Sequence, residues 1–422
     1  MLGRLVETVG HGLRVRRLGG DRAGEIRLTR LLRNGAVTPE AMVAEAALAT
    51  GARCAGAEVL VIQDTTVVRS EGGGGLYAHV ALAVDAASDA ILGLTHALFL
   101  SRSAGKKASR KAKAIEDKES RRWIDTVQAA SGVCCAARRV THICDREGDI
   151  FALFASLPAG QDLLVRAAHD RALADGGRLF AALDAAPIAG TRVLELPAKP
   201  GRPARKAEVV ARVMTAEIAR PRHGMDADLP KAVTVNLVDI RELDVPAGAD
   251  PVHWRLITTR AMSSGQDAFA IADLYRRRWS IEQLFRTLKT AGFDIEGALV
   301  EQEAPLRNLV MAALVAAVIV QQLVHARDGA QRPGVLRPLE DAFDPDDQPL
   351  LEAFCAKLEG KTQRQKNPHP KGSLAYAAWV CARLGGWTGY YGKPGPVVML
   401  SGWNHFQAAK QGAILTLAAH KL

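Results

Sequence analysis

Three strand-like runs that follow one another closely constrain the fold of this chain more than any other feature. They are "AEVLVIQD" (57–64), "LYAHVALAVDA" (76–86) and "AILGLTHALFL" (90–100), and a glycine-rich turn, "EGGGG" (71–75), precedes the second. Consecutive apolar runs joined by short turns are typical of neighbouring antiparallel strands. The sequence therefore predicts an antiparallel meander in its first quarter.

Two further strands are expected beyond a helical segment. "RVTHICD" (139–145) and "DLLVRAAH" (162–169) are apolar runs, and "IFALFASL" (150–157) between them indicates a short helix. The first strand of the meander is expected to end on Asp64, and the fourth strand on Asp145. Alternation of strands and helices predicts an α/β fold.

The sequence pattern changes between residues 171 and 250. Alternating runs such as "RVLELP" and "AVTVNLVDI" are broken there by proline, glycine and basic residues, which predicts a β-rich insertion. After it the chain returns to a strand, "HWRLITT" (253–259), and then to helices.

The stretch "YRRRWSIEQLFRTLK" (275–289) has the pattern of an amphipathic helix. At about 100° per residue, Tyr275, Arg278, Glu282 and Lys289 fall within an arc of roughly 60° on one side. Trp279 lies beside this arc and is interpreted as a packing residue. The helix is therefore expected to bury an apolar stripe and to present one acid among cations.

These residue types suit phosphate chemistry. Arginine, lysine and a phenol can all donate to phosphate oxygens. Phosphate would repel the carboxylate of Glu282 unless a divalent metal lies between them, and Mg²⁺ commonly takes one or two protein carboxylates. Asp64 and Asp145 could complete such a site. The alternative interpretation is a solvated Arg–Glu pair on a helix surface, which is common.

Composition narrows the class of protein. The formal net charge is +10 and 48% of the residues are hydrophobic, which favours a globular protein with a polyanionic partner such as nucleic acid. None of the six cysteines forms a C-x-x-C pair, so a structural zinc site is not expected. The apolar run 309–320 is too short to span a bilayer and indicates a buried helix. No signal peptide is apparent, and a cytoplasmic protein is predicted.

Several motifs, in order, resemble those of a known family. "Y-x2-R-x3-E-x6-K" at 275–289 matches the signature of the IS4-family DDE transposases, and the chain most resembles the Tn5/IS50 transposase branch. "IQDTT" (62–66) and "CDREGD" (144–149) look like the first-acid and second-acid motifs. "KESRRW" (118–123) and "GSLAYAAWVCARLGG" (372–386) are also similar to family segments. The resemblance extends from about Gly19 to the end of the chain.

The resemblance implies an RNase H-like catalytic core, a mixed sheet with flanking helices, interrupted by the β-rich insertion. The expected organisation is a short helical DNA-binding region, the first part of the core, the insertion, the second part of the core with the catalytic helix, and a helical region for DNA contact and dimerisation. These correspond to residues 1–55, 56–170, 171–250, 251–325 and 326–422. The regions before the first acid and at the C-terminus look shorter than in the family.

The same resemblance assigns site residues. It implies that Asp64, Asp145 and Glu282 are catalytic and hold two Mg²⁺ ions, for which Mn²⁺ can substitute.

It also implies that Tyr275, Arg278 and Lys289 contact DNA phosphates near the cleaved end. Trp254 would stack on a flipped-out base, although a core role is the alternative. Arg166 would contact the transposon end, with a plain surface cation as the alternative. Three residues of the second-acid motif are expected to support the site or to begin a helix: Arg146, Glu147 and Asp149.

The implied function is cut-and-paste transposition of an insertion sequence. It comprises hydrolysis at the transposon ends, hairpin formation and opening, and attack of the 3′-OH on target DNA. The expected partners are double-stranded DNA, as inverted-repeat ends and as target, and a second copy of the chain in a synaptic homodimer. No membrane partner is expected, and a bacterial, nucleoid-associated location is implied.

Three basic segments are candidates for target binding, "GKKASRKAK" (105–113), "KPGRPARK" (199–206) and "KTQRQKNPHPK" (361–371). Two other functions stay open at this point. One is a catalytically silent, transposase-derived DNA-binding protein or inhibitor. The other is a structure-specific nuclease that uses the same core without strand transfer.

Overall fold

A computed structural model shows how these segments are arranged. The described residues are 13–71, 74–102, 119–198, 203–222, 228–262, 264–289, 292–329 and 336–419. The basic segment 105–113, Lys118 of the "KESRRW" motif and residues 199–202 of the second basic segment lie outside this described part.

One mixed sheet forms the centre of the protein. Its strands are β1 (Glu58–Glu71), β2 (Gly74–Asp85), β3 (Ile91–Arg102), β4 (Arg139–Cys144), β5 (Asp162–Arg166), β6 (Ile188–Leu196), β7 (Arg205–Ala219), β8 (Ala232–Glu242) and β9 (His253–Thr258). The nine strands lie in the order β3-β2-β1-β4-β5-β9-β8-β7-β6.

The pairing of neighbouring strands changes twice across the sheet, from antiparallel to parallel and back to antiparallel. Strands β1, β2 and β3 form the predicted antiparallel meander. Strands β4 and β5 then run parallel to β1. Strand β9 is antiparallel to β5, and β8, β7 and β6 continue the sheet in antiparallel pairs. The β-rich stretch 171–250 therefore extends the central sheet rather than folding apart from it.

Helices surround this sheet. They are α1 (Val15–Gly19), α2 (Arg22–Arg33), α3 (Pro39–Cys54), α4 (Arg121–Val133), α5 (Phe151–Ala155), α6 (Leu179–Ala185), α7 (Gly265–Arg276), α8 (Trp279–Leu288), α9 (Glu303–Ala326), α10 (Gln348–Leu358), α11 (Leu374–Leu384) and α12 (Pro396–Ala419). The start of α3 is capped by Thr38, whose hydroxyl accepts a hydrogen bond from the backbone of Ala41 at 3.1 Å. The mixed α/β fold expected from the sequence is thus confirmed.

The apolar run 309–320 lies within α9. This helix is long and apolar enough to cross a bilayer by length and composition, but 72% of its most apolar window is buried inside the protein. It packs against α8 and the helices at both ends of the chain, and its apolar composition therefore fits a central core helix.

The alternation of side chains along β1 decides which residues reach each face. Leu60 and Ile62 belong to the large core cluster beneath α7, α8 and α9, whereas Val59 and Val61 belong to a separate cluster on the opposite face. Because alternate residues of a strand share a face, Asp64 points to the side that α8 covers.

Candidate active site

Two neighbouring parallel strands bring the first pair of acids together. Ile62 of β1 lies opposite Ile143 of β4, the last paired positions of the two strands. Asp64 and Asp145 each come two residues later, so both point to the same face of the sheet. Neighbouring strands are about 4.8 Å apart, and this register therefore places the two carboxylates side by side.

The environments of the two acids differ. Strand β4 ends at Cys144, one residue earlier than predicted, and Asp145 follows it directly. Its Oδ1 accepts a hydrogen bond of 2.8 Å from the backbone of Glu147. The expectation that β1 ends on Asp64 is wrong, because β1 runs to Glu71 and Asp64 pairs with Val80 of β2. The strand continues since β2 supplies hydrogen-bond partners beyond the point at which β4 stops.

The expected single helix over 275–289 is also wrong. Helix α7 ends at Arg276 and α8 begins at Trp279. Across the junction, the backbone of Arg278 donates to Tyr275 at 3.0 Å and that of Ile281 donates to Arg278 at 3.2 Å. These bonds span three residues instead of four. The backbone therefore forms a tighter turn here, which separates α7 from α8.

Arg278 joins two of the predicted acids. Its Nη1 donates to Oδ2 of Asp64 at 3.0 Å, and its Nη2 donates to Oε1 of Glu282. The side chains of Arg278 and Asp64 are only 14% and 18% exposed. The first turn of α8 therefore brings Glu282, the third acid, close to the central strand that carries Asp64.

The three carboxylates act on one another electrostatically. Burial and the negative charges of Asp145 and Glu282 outweigh the Thr65 backbone and Arg278, and together these effects raise the pKa of Asp64 to about 6. Asp145 and Glu282, both distant from Asp64 in sequence, are thus near enough to act on its charge.

Tyr275 and Arg166 lie at the same cluster. The Tyr275 ring centre is 5.9 Å from the guanidinium carbon of Arg278. Burial and the positive charge of Arg146 lower the pKa of Arg166, whereas Tyr275 and Asp145 act in the opposite direction. The site therefore contains a phenol and several cations around the acids, as the sequence predicted.

Lys289 and Trp254 have partners outside this cluster. Lys289 ends α8 and forms an ion pair of 2.8 Å with Glu296, and it lies seven residues, or roughly 10 Å, beyond Glu282 along the helix. Trp254 is partly buried against the large core cluster and lies opposite Ile240 of β8. Its packing agrees with the core alternative stated for it.

The interpretation of Trp279 as a packing residue is wrong. Its side chain is 51% exposed at the start of α8. The junction between the two helices turns this position outward, beside Arg278, instead of leaving it on the flank of a continuous helix.

Sequence reasoning missed a buried polar network beneath the acids. The Arg122 guanidinium is buried, donates to the Thr65 hydroxyl at 3.2 Å and to the Glu119 carbonyl at 2.9 Å, and pairs with Glu147. The Thr65 hydroxyl also lies 2.9 Å from Nδ1 of His79. Arg122 thus ties the strand of the first acid to the turn of the second.

Asp149 has the supporting role expected of it. Its fully buried carboxylate accepts hydrogen bonds from the backbones of Ala168 and His169 at 2.8 and 3.0 Å, and from Arg171 at 2.7 Å. These bonds hold the chain as it leaves β5, just beyond Arg166.

The donor chemistry of the site suits a divalent cation. Mg²⁺ prefers carboxylate oxygens, and Asp64, Asp145 and Glu282 supply three from separate elements. With the side chains as they stand, however, no group of three His, Cys, Asp or Glu residues in the described ranges is close enough to hold a metal ion. Arg278 occupies the place between Asp64 and Glu282, so the residues fit a cation by type but not in this arrangement.

Comparison with known families agrees with this interpretation. Residues 159–319 match the family model described as the transposase DDE domain. The matched segment includes Arg166, Trp254 and the junction that carries Glu282, whereas Asp64 and Asp145 precede it. A DDE domain implies an RNase H-like core, DNA as substrate and an enzyme of the transposase or nuclease type. The match over residues 159–319 thus supports a DDE transposase.

Proposed function

We propose that this protein is a cut-and-paste DNA transposase of the IS4 family, similar to the Tn5/IS50 branch, and that Asp64, Asp145 and Glu282 are its catalytic acids. The single observation that carries this proposal is the convergence of the three acids. One guanidinium bridges Asp64 and Glu282, and the charge of Asp145 acts on Asp64.

The acids would hold two Mg²⁺ ions, for which Mn²⁺ can substitute. When bound, such ions lower the pKa of an attacking water and stabilise the leaving 3′ oxygen. Metal ions between the three carboxylates and the DNA phosphate would offset the repulsion between these negative charges. The Asp64 side chain is only 18% exposed, and its pKa of about 6 reflects the cost of holding a negative charge there, which a bound cation would lower.

The surrounding cations would bind and orient DNA. Arg278 and Tyr275 would donate to phosphate oxygens near the cleaved end, and Arg166 would add a positive charge that acts on both Tyr275 and Asp145. Lys289 and Trp254 would contact DNA further out, Lys289 on the phosphate backbone and Trp254 on a displaced base. The partial exposure of Trp254 leaves part of its ring accessible.

Four phosphoryl transfers would follow at this one site. Water first hydrolyses the phosphodiester at the transposon end and frees a 3′-OH. That hydroxyl attacks the opposite strand and closes a hairpin, a second hydrolysis opens the hairpin, and the 3′-OH finally attacks target DNA. Each step has an oxygen nucleophile and an oxygen leaving group, so one arrangement of acids and cations can serve all four.

The regions outside the catalytic cluster are assigned by the same proposal. The short N-terminal region, residues 1–55, would bind DNA. The C-terminal region, residues 326–422, would contact DNA and form the synaptic homodimer. Residues 171–250 would be the insertion into the core. The exposed segment 361–371 would bind target DNA. The protein would act at the nucleoid, without a membrane partner.

Cleavage of DNA that carries the element's own inverted repeats tests this function. The full-length protein should nick and then hairpin such a duplex in Mg²⁺, whereas Asp64→Asn, Asp145→Asn and Glu282→Gln should bind the duplex and leave it intact. Asp125→Asn is the matched control, because Asp125 pairs with Arg121 at the surface. Cutting by any of the three acid variants would overturn the assignment of the acids.

The same assay separates the alternatives. A catalytically silent DNA-binding protein or inhibitor would bind the duplex without nicking it. A nuclease that lacks strand transfer would cut without forming a hairpin.

A further inference from the structure

Both carboxylate oxygens of Asp64 already have partners. Oδ1 accepts a hydrogen bond of 2.7 Å from the backbone of Thr65, and Oδ2 accepts one of 3.0 Å from Arg278. Arg278 also donates to Oε1 of Glu282. Each carboxylate oxygen keeps a lone pair beyond these bonds, but the Arg278 guanidinium lies between Asp64 and Glu282, and its positive charge opposes a second cation there.

Arg278 itself is incompletely satisfied in this position. Its Nε is buried and has no hydrogen-bond partner in the part of the chain that the structure describes. A buried N–H without an acceptor is unfavourable. A phosphate oxygen near Tyr275 could accept from Nε while a second oxygen accepts from one of the terminal nitrogens, the paired geometry that arginine forms with phosphate.

A purely structural ion pair would be the simpler explanation. Arg278 and Glu282 are four residues apart at the start of a helix, where such pairs are common. That explanation accounts for Glu282 but leaves out Asp64, which comes from a strand 214 residues away in sequence. It also predicts that removing Arg278 weakens the site, because the acids would lose their only bridge among the described residues.

We propose that Arg278 makes metal binding conditional on DNA. Without DNA its guanidinium holds Asp64 and Glu282 and excludes a divalent cation. A phosphate of the DNA end draws the guanidinium away and releases one oxygen of each acid. This inference rests on the proposed function, since it takes Asp64 and Glu282 as metal ligands and DNA as the partner.

The consequence is a positive coupling between two ligands. DNA strengthens metal binding, and by linkage the metal strengthens DNA binding by the same factor. The free protein is then poorly loaded with metal and is restrained from cutting DNA at random. Arg278 acts in this way as a specificity-determining residue as well as a phosphate ligand.

Mn²⁺ binding to the DNA-free, full-length protein tests the proposal. The paramagnetic resonance signal of free Mn²⁺ reports the bound fraction without any need for catalysis. Arg278→Gln should bind Mn²⁺ roughly tenfold more tightly than the unaltered protein, and adding Asp64→Asn to Arg278→Gln should abolish that gain. Thermal melts of each variant establish that it is folded.

Arg276→Gln is the matched control for charge. Arg276 lies two residues from Arg278, is half exposed and pairs with Asp273 at 3.4 Å. Its replacement removes the same positive charge from the same junction without touching the acids. It should therefore leave Mn²⁺ affinity within about twofold of the unaltered protein, since an exposed charge is well screened.

A second measurement adds a short DNA duplex, with the Mn²⁺ bound by the DNA alone subtracted. DNA should tighten Mn²⁺ binding to the unaltered protein but have little effect on Arg278→Gln. If Arg278→Gln binds Mn²⁺ no better than the unaltered protein while Asp64→Asn weakens binding in the presence of DNA, the inference fails and the metal site stands. If Asp64→Asn leaves Mn²⁺ binding unchanged with DNA present, the proposed metal site fails, and this inference fails with it.

Discussion

Arg122 and Thr65 are joined by a hydrogen bond of 3.2 Å beneath the acids, at the residue that directly follows Asp64. The guanidinium is only 6% exposed and also pairs with Glu147, two residues after Asp145. One buried cation therefore fixes the separation of two backbone segments that carry predicted metal ligands.

Replacing Arg122 by methionine should lower both stability and cleavage. Methionine fills similar space but leaves the Thr65 hydroxyl and the Glu119 carbonyl without this donor. We expect these unsatisfied groups to lower the free energy of unfolding by about 1 to 3 kcal/mol, measured by urea denaturation. The loss should not be larger, because the partner Glu147 is 60% exposed and keeps its hydration.

Asp125→Asn provides the comparison for Arg122→Met. Asp125 forms a surface ion pair with Arg121 on the same helix, and such pairs contribute at most about 1 kcal/mol. A change at Arg122 no larger than that at Asp125 would show that the buried guanidinium does not support the site.

Gly148 should be intolerant of a side chain. A Cβ at this position would lie 2.4 Å from Cβ of Cys144 and 3.2 Å from its Sγ. Gly148→Ala should therefore cost about 1 to 3 kcal/mol of stability and should displace the turn that begins at Asp145.

Gly132→Ala is the matched control for Gly148. Nothing lies within 4 Å of a Cβ built at Gly132, which is in α4. Alanine is favoured over glycine within helices by up to about 1 kcal/mol, so this variant should melt at an equal or higher temperature. Equal thermal stability of the two variants would contradict the predicted clash.

The sequence is sufficient to place most strands along the chain, because each of these strands is set by a local pattern. The meander, the strand before Asp145 and the strand 253–259 all have apolar runs bounded by turn residues, and β1 to β5 and β9 appear where those patterns place them. The end of β1 was missed because it depends on β2, a tertiary partner that supplies hydrogen bonds beyond Asp64.

The junction between α7 and α8 could not be predicted from periodicity. Tyr275, Arg278 and Glu282 have helical spacing, and no proline or glycine marks the break at Arg277 and Arg278. The break is a short run of three-residue hydrogen bonds, which leaves no trace in composition. Arg122 was missed for a related reason, since its burial depends on contacts with residues far away in sequence.

The exposed basic segment 361–371 should add salt-sensitive affinity for DNA. Lys361, Arg364 and Lys366 are exposed and form no ion pair with carboxylates in the described ranges. Replacing all three by glutamine should weaken binding to a random-sequence duplex. It should also reduce the slope of log K against log salt concentration by up to about 3, since each lost phosphate contact contributes about 0.9.

The control uses two lysines that are paired with acids, Lys371 at the end of this segment and Lys393 beyond it. Lys371 pairs with Glu352 at 2.6 Å and Lys393 pairs with Asp328 at 2.8 Å. Their charges are already matched by acids, so the double glutamine variant should change the salt slope less. An unchanged slope in the triple variant would exclude this segment from the DNA surface.

The raised pKa of Asp64 has a consequence for stability against pH. Burial and the charge of Asp145 raise this pKa from 3.8 to about 6 in the folded, metal-free protein. Between these two values the folded state holds a proton that the unfolded state has lost, so Asp64 contributes less to stability as pH rises. The full cost, about 3 kcal/mol at most, is present above pH 6 and absent below pH 4.

Asp64→Asn should therefore stabilise the metal-free protein at pH 8 and have little effect at pH 4. Asparagine keeps the shape of the side chain but has no charge to desolvate or to oppose Asp145. Urea denaturation in the presence of a chelator at both pH values measures the difference, and Asp125→Asn, at an exposed position, should show no such gain at pH 8. Equal stability of Asp64→Asn and the unaltered protein at pH 8 would mean that Asp64 is already neutralised by Arg278, and that the repulsion among the three acids is weaker than their positions indicate.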